Sequence, residues 1–191
     1  MQMFRFSLVA VSTMLAAGVA LAAPETFDLD ATHTYPSFEV SHLGFSNTRG
    51  FFTNSSGTLT LDREAKTGKV DVTIQTASLN TGFEKRDTHL RSKDFFNVEK
   101  FPTAQFKSET FKFDADKPVE AQGTLTMLGE TKPVSLKIEQ LKCAVRASDQ
   151  KYICGAEVKA TIKRTDWGMK YGVPFIGEEV KLNVQVEGAR K

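Results

Sequence analysis

The sequence predicts an all-β fold, an antiparallel barrel or sandwich of about eight strands with one short helical insert at about residues 81–96. Three observations lead there. Short apolar–polar alternations recur through residues 27–187, with connections of hairpin length between them. One stretch, residues 79–106, breaks that alternation and is the only one that reads as helix. No internal repeat, low-complexity tract or linker divides the chain into a second unit. Closing such a sheet removes its exposed edges, which favours a barrel.

Residues 1–22 read as a targeting segment. Arg5 and the amino terminus give a positive start, and residues 6–21 form an apolar run softened by Ser and Thr. Ala20-Leu21-Ala22 is a small-x-small site, which places cleavage after Ala22. An uncleaved anchor is the alternative, and the Ala-rich run with its cleavage site argues against it. Residues 23–191 then make one exported domain, with no later stretch apolar enough to span a bilayer as a helix. The whole chain carries 25 Lys+Arg against 23 Asp+Glu. That near balance excludes nucleic acid as an expected partner, because such binders carry a clear basic excess.

The strands follow in order. Residues 27–30 form a short first strand, followed by a turn-rich link at 30–36. Phe38, Val40 and His42 fall on one face of the next strand. Residues 50–62 form a longer strand, and 64–68 a hairpin connection. Val70, Val72 and Ile74 alternate with Asp71, Thr73 and Gln75. After the helical stretch come residues 104–113, then 118–128 with a tight turn at Gly129-Glu130. Val134, Leu136 and Ile138 alternate next, then six positions from Tyr152 to Ile162, then Val180, Leu182, Val184 and Val186.

Within the insert, Thr81-Gly82-Phe83-Glu84 fits a capping box, in which the Thr81 hydroxyl and the Glu84 carboxylate satisfy each other's backbone N–H. Phe83, Arg86, Asp87 and Leu90 share a helical face. Ser92-Lys93-Asp94 caps a second short turn that delivers Phe95 and Phe96. Phe101-Pro102 ends the helical structure, because the residue before proline is pushed to an extended conformation.

Cys143 and Cys154 flank a ten-residue hairpin segment with a turn-like centre. In an exported chain such a pair is expected to form a disulfide stapling neighbouring antiparallel strands. A redox pair would call for Cys-x-x-Cys, and a metal site for nearby histidines. The interior is left open at this level. A barrel of about eight strands is just wide enough for one small ligand, and its many Phe residues either line a cavity or fill it.

Taken together, several segments resemble the YceI-like family. Residues 27–30 with 38–45 and Arg49-Gly50-Phe51-Phe52 are similar to its opening. Residues 86–96 followed by Phe101-Pro102 are similar to its most recognisable block, and residues 123–134 to a later hairpin. The resemblance implies an extended lipocalin-like barrel in the periplasm, with no catalytic activity and no cofactor. It implies a long isoprenoid amphiphile as ligand, a polyprenyl lipid or an isoprenoid-tailed quinone, with transient membrane contact and a homodimer as further options. Trp167 stands where the family usually has Phe, and the Cys143/Cys154 pair is not general to it.

Alternation and resemblance together nominate an apolar lining of Phe38, Val40, Phe45, Phe52, Phe95, Phe96, Phe106, Leu125, Met127 and Trp167. His42, Arg86 and His89 are the nominated polar contacts. Each CH₂ removed from water contributes about 0.8 kcal/mol before the costs of association, so a tail of a dozen carbons binds without a strong polar contact.

Sharper chemistry finds little support. His33, His42 and His89 show no local pairing of the kind a zinc site uses. Arg86, Asp87 and Arg91 suit a phosphate head group through the planar guanidinium fork, but charged helical surfaces are ordinarily solvated. No nucleophile elbow, Gly-rich phosphate loop or dinucleotide fingerprint occurs. The competing class is a structural or interaction β-domain with a packed core.

Overall fold

The computed structural model describes residues 23–191; the expected leader, residues 1–22, lies outside the described residues. The alternating segments become eleven strands among the described residues: β1 (Glu25–Leu29), β2 (Tyr35–His42), β3 (Ser46–Phe52), β4 (Ser55–Asp62), β5 (Thr67–Gln75), β6 (Leu79–Asn80), β7 (Thr103–Asp114), β8 (Lys117–Met127), β9 (Glu130–Val145), β10 (Tyr152–Lys163) and β11 (Ile176–Arg190). One helix, α1 (Glu84–Arg91), lies between β6 and β7.

These strands make eight passes of one closed antiparallel barrel. β1 and β2 run successively along the same edge of β11, Phe27 opposite Arg190 and Phe38 opposite Leu182. β4 then pairs with β1, and β3 with β2, so the 50–62 segment read as one strand is in fact broken at Thr53-Asn54. β5 pairs with β4, and β6 with β3. β7 to β11 follow as an uninterrupted meander, and the β1–β11 pairing closes the ring.

Three passes are therefore interrupted, and each interruption is patched by a buried hydroxyl. Thr34, Ser55 and Thr76 are each 1 % exposed. Thr34 donates to the Glu187 carbonyl, Ser55 to the Thr34 carbonyl at 3.1 Å, and Thr76 to the Phe101 carbonyl at 2.8 Å. Ser55 and Thr76 give a donor to carbonyls at the breaks, and the Thr34 hydroxyl also accepts from the Glu187 N–H, whose carbonyl is shared with the Asp30 N–H, so buried backbone groups stay paired.

The β8–β9 hairpin turns on Leu128-Gly129, one residue earlier than expected. Both have positive φ, at 53° and 81°. That matches the two-residue hairpin loop whose twist fits the flanking strands. Cys143 and Cys154 sit directly opposite each other on β9 and β10 and are joined in a disulfide. Around this end the barrel is filled, with Phe27 and Leu61 at 0 % and 1 % exposure.

The capping box at the start of α1 does not form. Phe83 is the N-cap residue and gives no side-chain cap. The Thr81 hydroxyl instead donates to Asp87, whose Oδ1 also accepts from the Thr81 N–H at 2.9 Å. A buried carboxylate one turn into the helix thus takes the role expected of Glu84, which is exposed and pairs with Arg91. The second turn forms as read: the Ser92 hydroxyl accepts from the Asp94 N–H and the chain turns back through Phe95 and Phe96.

Three outcomes follow from this architecture. Thr76→Val keeps the volume but leaves the Phe101 carbonyl unpaired, and should cost about 1–3 kcal/mol in urea denaturation. Replacing both cysteines by serine releases a short closed loop and should cost about 2–3 kcal/mol. Asp30, bonded by Thr32 and His33, Glu139 between Lys137 and Lys159, and Asp149 bonded by Arg146 are each held down at about 2. Depressed carboxylates stabilise the fold above the unfolded range near about 4. That contribution is lost as pH falls towards about 2, so thermal melts should drop across this window and drop less steeply in Asp30→Asn.

Candidate functional site

The cavity begins where regular pairing stops. Above Gln75 the chain leaves β7, turns through residues 76–78, and pairs only with β3 through two residues. α1 and the following turns fill the gap between β6 and β7. They are tied in by Arg91, which donates to the carbonyls of Ala77 and Leu79, and by Thr76 to Phe101. Helix and turns present side chains rather than a continuous strand, and the space beneath them is hollow. The cavity measures about 410 Å³, within the usual range for ligand sites.

Its walls come from nearly every pass of the barrel. Phe38, Val40 and His42 on β2 face inward together, opposite Leu182, Val180 and Ile176 on β11. Phe52 on β3, Ile74 on β5, Phe106 on β7, Leu125 and Met127 on β8, Leu136 on β9 and Ile162 on β10 complete the barrel walls. Phe38 and Phe52 pack at 6.2 Å between ring centroids, and Phe52 meets Phe96 edge-on at 5.4 Å. The Phe38 ring lies over Gly50, where a Cβ would come within 2.5 Å of it; a side chain there would push the ring into the cavity.

From the insert come Arg86, His89, Leu90, Phe95 and Phe96. The Arg86 guanidinium donates to the Thr81 hydroxyl at 2.7 Å and to the Thr81 carbonyl at 2.8 Å. His89, Phe95 and Tyr171 form a three-ring cluster with centroids 5.0–5.2 Å apart, joining the insert to the connection between β10 and β11. Edge-to-face contacts of this kind contribute roughly 0.5–1.5 kcal/mol each beyond burial.

That connection, residues 164–175, is organised by Arg164. It is 3 % exposed and donates to four backbone carbonyls, those of Gly177, Met169, Tyr171 and Ile176, at 2.8–3.0 Å. Burial pulls its pKa down from the usual arginine value, with the Glu178 charge acting the other way. Arg164, Met169 and Tyr171 all line the cavity.

Eleven of the nominated residues meet here: Phe38, Val40, Phe52, Phe95, Phe96, Phe106, Leu125 and Met127, with His42, Arg86 and His89. Two do not. Phe45 is 90 % exposed: it is out of phase with Phe38, Val40 and His42, and it stands in the turn after β2 where Leu43 and Gly44 both take positive φ. Trp167 is buried outside the lining, in a core cluster that includes the lining residues Phe106, Leu125 and Met127, its indole N–H donating to the Leu125 carbonyl at 3.0 Å. Ile74, Leu136, Leu182 and Val184 were visible as alternating positions and needed only the register to enter the lining. Arg164, Met169 and Tyr171 carry no periodic signal.

His33 lies elsewhere, with Asp30 and Glu187, ligand atoms within 4.8 Å of one another. Its Nδ1 is 2.9 Å from Asp30, and Arg146 reaches the same carboxylate. His42 and His89 line the cavity, so the three histidines do not converge.

The mouth is bordered by exposed apolar side chains. Leu43 and Phe45 in the β2–β3 turn join Tyr171, Val173 and Phe175, with the Leu43 N–H donating to the Phe175 carbonyl at 2.8 Å.

Comparison with known proteins agrees with this architecture. A UPF0312 protein of Pseudomonas aeruginosa is 39 % identical over 183 residues, 94 % of each chain. The crystal structure of a Campylobacter jejuni YCEI protein superposes with a TM-score of 0.67 at 28 % identity, over 96 % of this chain and 99 % of that one. A polyisoprenoid binding domain from Saccharophagus degradans, implicated in plant cell wall breakdown, shares the fold with a TM-score of 0.65 at 17 % identity, over 86 % and 98 %. The model of the YceI-like domain matches residues 27–188, and the chain belongs to the YceI-like family.

Proposed function

We propose that this chain is an exported periplasmic carrier that buries the tail of a long isoprenoid amphiphile, a polyprenyl lipid or an isoprenoid quinone, in its one-ended cavity. The cavity is the observation that carries the reading: about 410 Å³ lined almost wholly by aliphatic and aromatic side chains, in a barrel whose other end is filled. A structural or interaction β-domain has no use for that hollow. The Saccharophagus domain with the same fold is described as polyisoprenoid binding, which supports the ligand class. No reacting group is assigned, and the role is binding for transport, storage or protection under stress rather than catalysis. Cleavage after Ala22 and export belong to the same proposal.

The binding energy is apolar. A dozen tail carbons leaving water contribute on the order of 10 kcal/mol before association costs. The exposed Leu43, Phe45, Val173 and Phe175 beside the mouth suit transient contact with a bilayer, from which such a tail would be collected.

Native mass spectrometry of protein purified gently from the periplasm, followed by solvent extraction, tests the carrier. A discrete added mass matching a polyprenyl lipid or isoprenoid quinone is expected. A clean ligand-free mass that stays unchanged when such lipids are added would move the assignment to the structural domain. Phe38→Asp should place a charge in the cavity wall and reduce retained lipid roughly tenfold or more, while the circular dichroism spectrum stays that of a β-barrel. Full retention in the folded variant counts against tail binding at this site.

A further inference from the structure

The cavity lining has a one-sided charge. Among the described residues it contains two arginines, Arg86 and Arg164, and two histidines, His42 and His89, but no Asp or Glu. For a site that need only hold hydrocarbon, this is costly: a buried guanidinium loses its hydration, and neutral residues of the same size would pack as well. Arg164 is the telling member. Its four bonded partners are all neutral carbonyls, so its charge is solvated by dipoles and is not cancelled. Glu178, whose charge acts on it, accepts its bond from the Thr165 hydroxyl. Four of the five guanidinium N–H groups are taken, leaving one on Nη1 without a bonded protein partner among the described residues. Arg86 is likewise bonded only to Thr81, with Asp87 one hydrogen bond further on, outside the lining.

We propose that the amphiphile this cavity takes carries an oxyanion head, a carboxylate or a phosphate, and that Arg164 with Arg86 recognises it while the tail occupies the apolar walls. The inference rests on the carrier reading and narrows it from isoprenoid amphiphiles in general to acidic ones. The carbonyls explain the charge's position, since they hold the guanidinium in one place without neutralising it. An oxyanion then completes the pair, and charge-assisted bonds to guanidinium are about twice as strong as neutral ones. A neutral head such as a quinone ring or an alcohol brings no charge, leaving the cation to its carbonyl dipoles and the Glu178 carboxylate to which it is not hydrogen-bonded.

The test uses heads that differ on one tail. Geranylgeranyl phosphate, geranylgeranoic acid, its methyl ester and geranylgeraniol are offered in equimolar competition to the delipidated full domain, and the bound species are weighed by native mass spectrometry. The acid and the phosphate should each exceed the ester and the alcohol by roughly tenfold or more, equivalent to about 1.4 kcal/mol. The ratio of acid to phosphate identifies which oxyanion fits. In Arg164→Gln that preference should collapse towards unity while the alcohol still binds. Arg86→Gln, which leaves the four-carbonyl clamp intact, should reduce the preference and covers the case in which the Arg164 variant fails to fold. Equal binding of all four heads overturns the oxyanion head and leaves the carrier standing. Binding of none overturns the carrier and this inference with it. A tenfold preference that survives unchanged in folded variants of both arginines overturns their assignment.

Discussion

Closure through β11 is the constraint on which the rest of the molecule depends. This one strand of 15 residues pairs with β10 along one edge and with β1 and then β2 along the other. Without that second edge the first and last passes would each expose a row of unpaired backbone groups. Closure also sets the price of every irregularity, because a break in a closed ring cannot be vented at a sheet margin. The three breaks are accordingly met by Thr34, Ser55 and Thr76, small side chains that bond across the gap and occupy little volume. Apolar side chains at 55 and 76 would take these donors away from the Thr34 and Phe101 carbonyls.

The breaks divide the barrel into two tiers with different uses. In the tier holding β1, β4 and β5, Phe27 and Leu61 pack to near-zero exposure and the disulfide joins β9 to β10. In the tier holding β2, β3 and β6, the pass after β5 shrinks to two residues and the helical insert takes its place. Strand pairing holds neighbours about 4.8 Å apart, whereas a helix with flanking turns occupies a wider sector. The cavity is thus a consequence of replacing a strand by a helix in a closed ring. The insert is held by charged hydrogen bonds, from Arg91 to two carbonyls and from Thr81 to Asp87, and on the cavity side by the contacts of His89 and Phe95 with Tyr171.

Much of this was legible in the chain itself, and the reason is periodicity. Alternation assigns a strand residue to a face, so Phe38, Val40 and His42 were placed together correctly before any register was known. The insert was legible because it interrupts the alternation. The failures sit where periodicity ends. Phe45 lies just past β2 and out of phase with Phe38, Val40 and His42, and two consecutive left-handed residues reverse the chain before it. Thr81 has the spacing of a capping box, yet the competing acceptor Asp87 is buried and Glu84 is in solvent, so the buried carboxylate takes the bond. Trp167 is large and apolar, as a lining residue should be, but its N–H needs an acceptor, and its bond to the Leu125 carbonyl goes with a place in the packed core cluster.

His42, Arg86 and His89 were legible as polar lining, but Arg164 was not, for a related reason. An arginine in a connection between strands reads as a solvated surface charge, and nothing in residues 164–175 marks Arg164 as different from its neighbour Lys163. Its burial depends on four carbonyls further along the same connection and at the start of β11, which the chain turns back over the guanidinium through Gly168 at φ 79° and Gly172 at φ 72°. The walls of the site are therefore set by the alternation of each strand, while the burial of Arg164 is set by the course of one non-periodic connection. That connection curls around its own guanidinium and so adds a second arginine to a lining that already holds Arg86, His42 and His89 among apolar side chains.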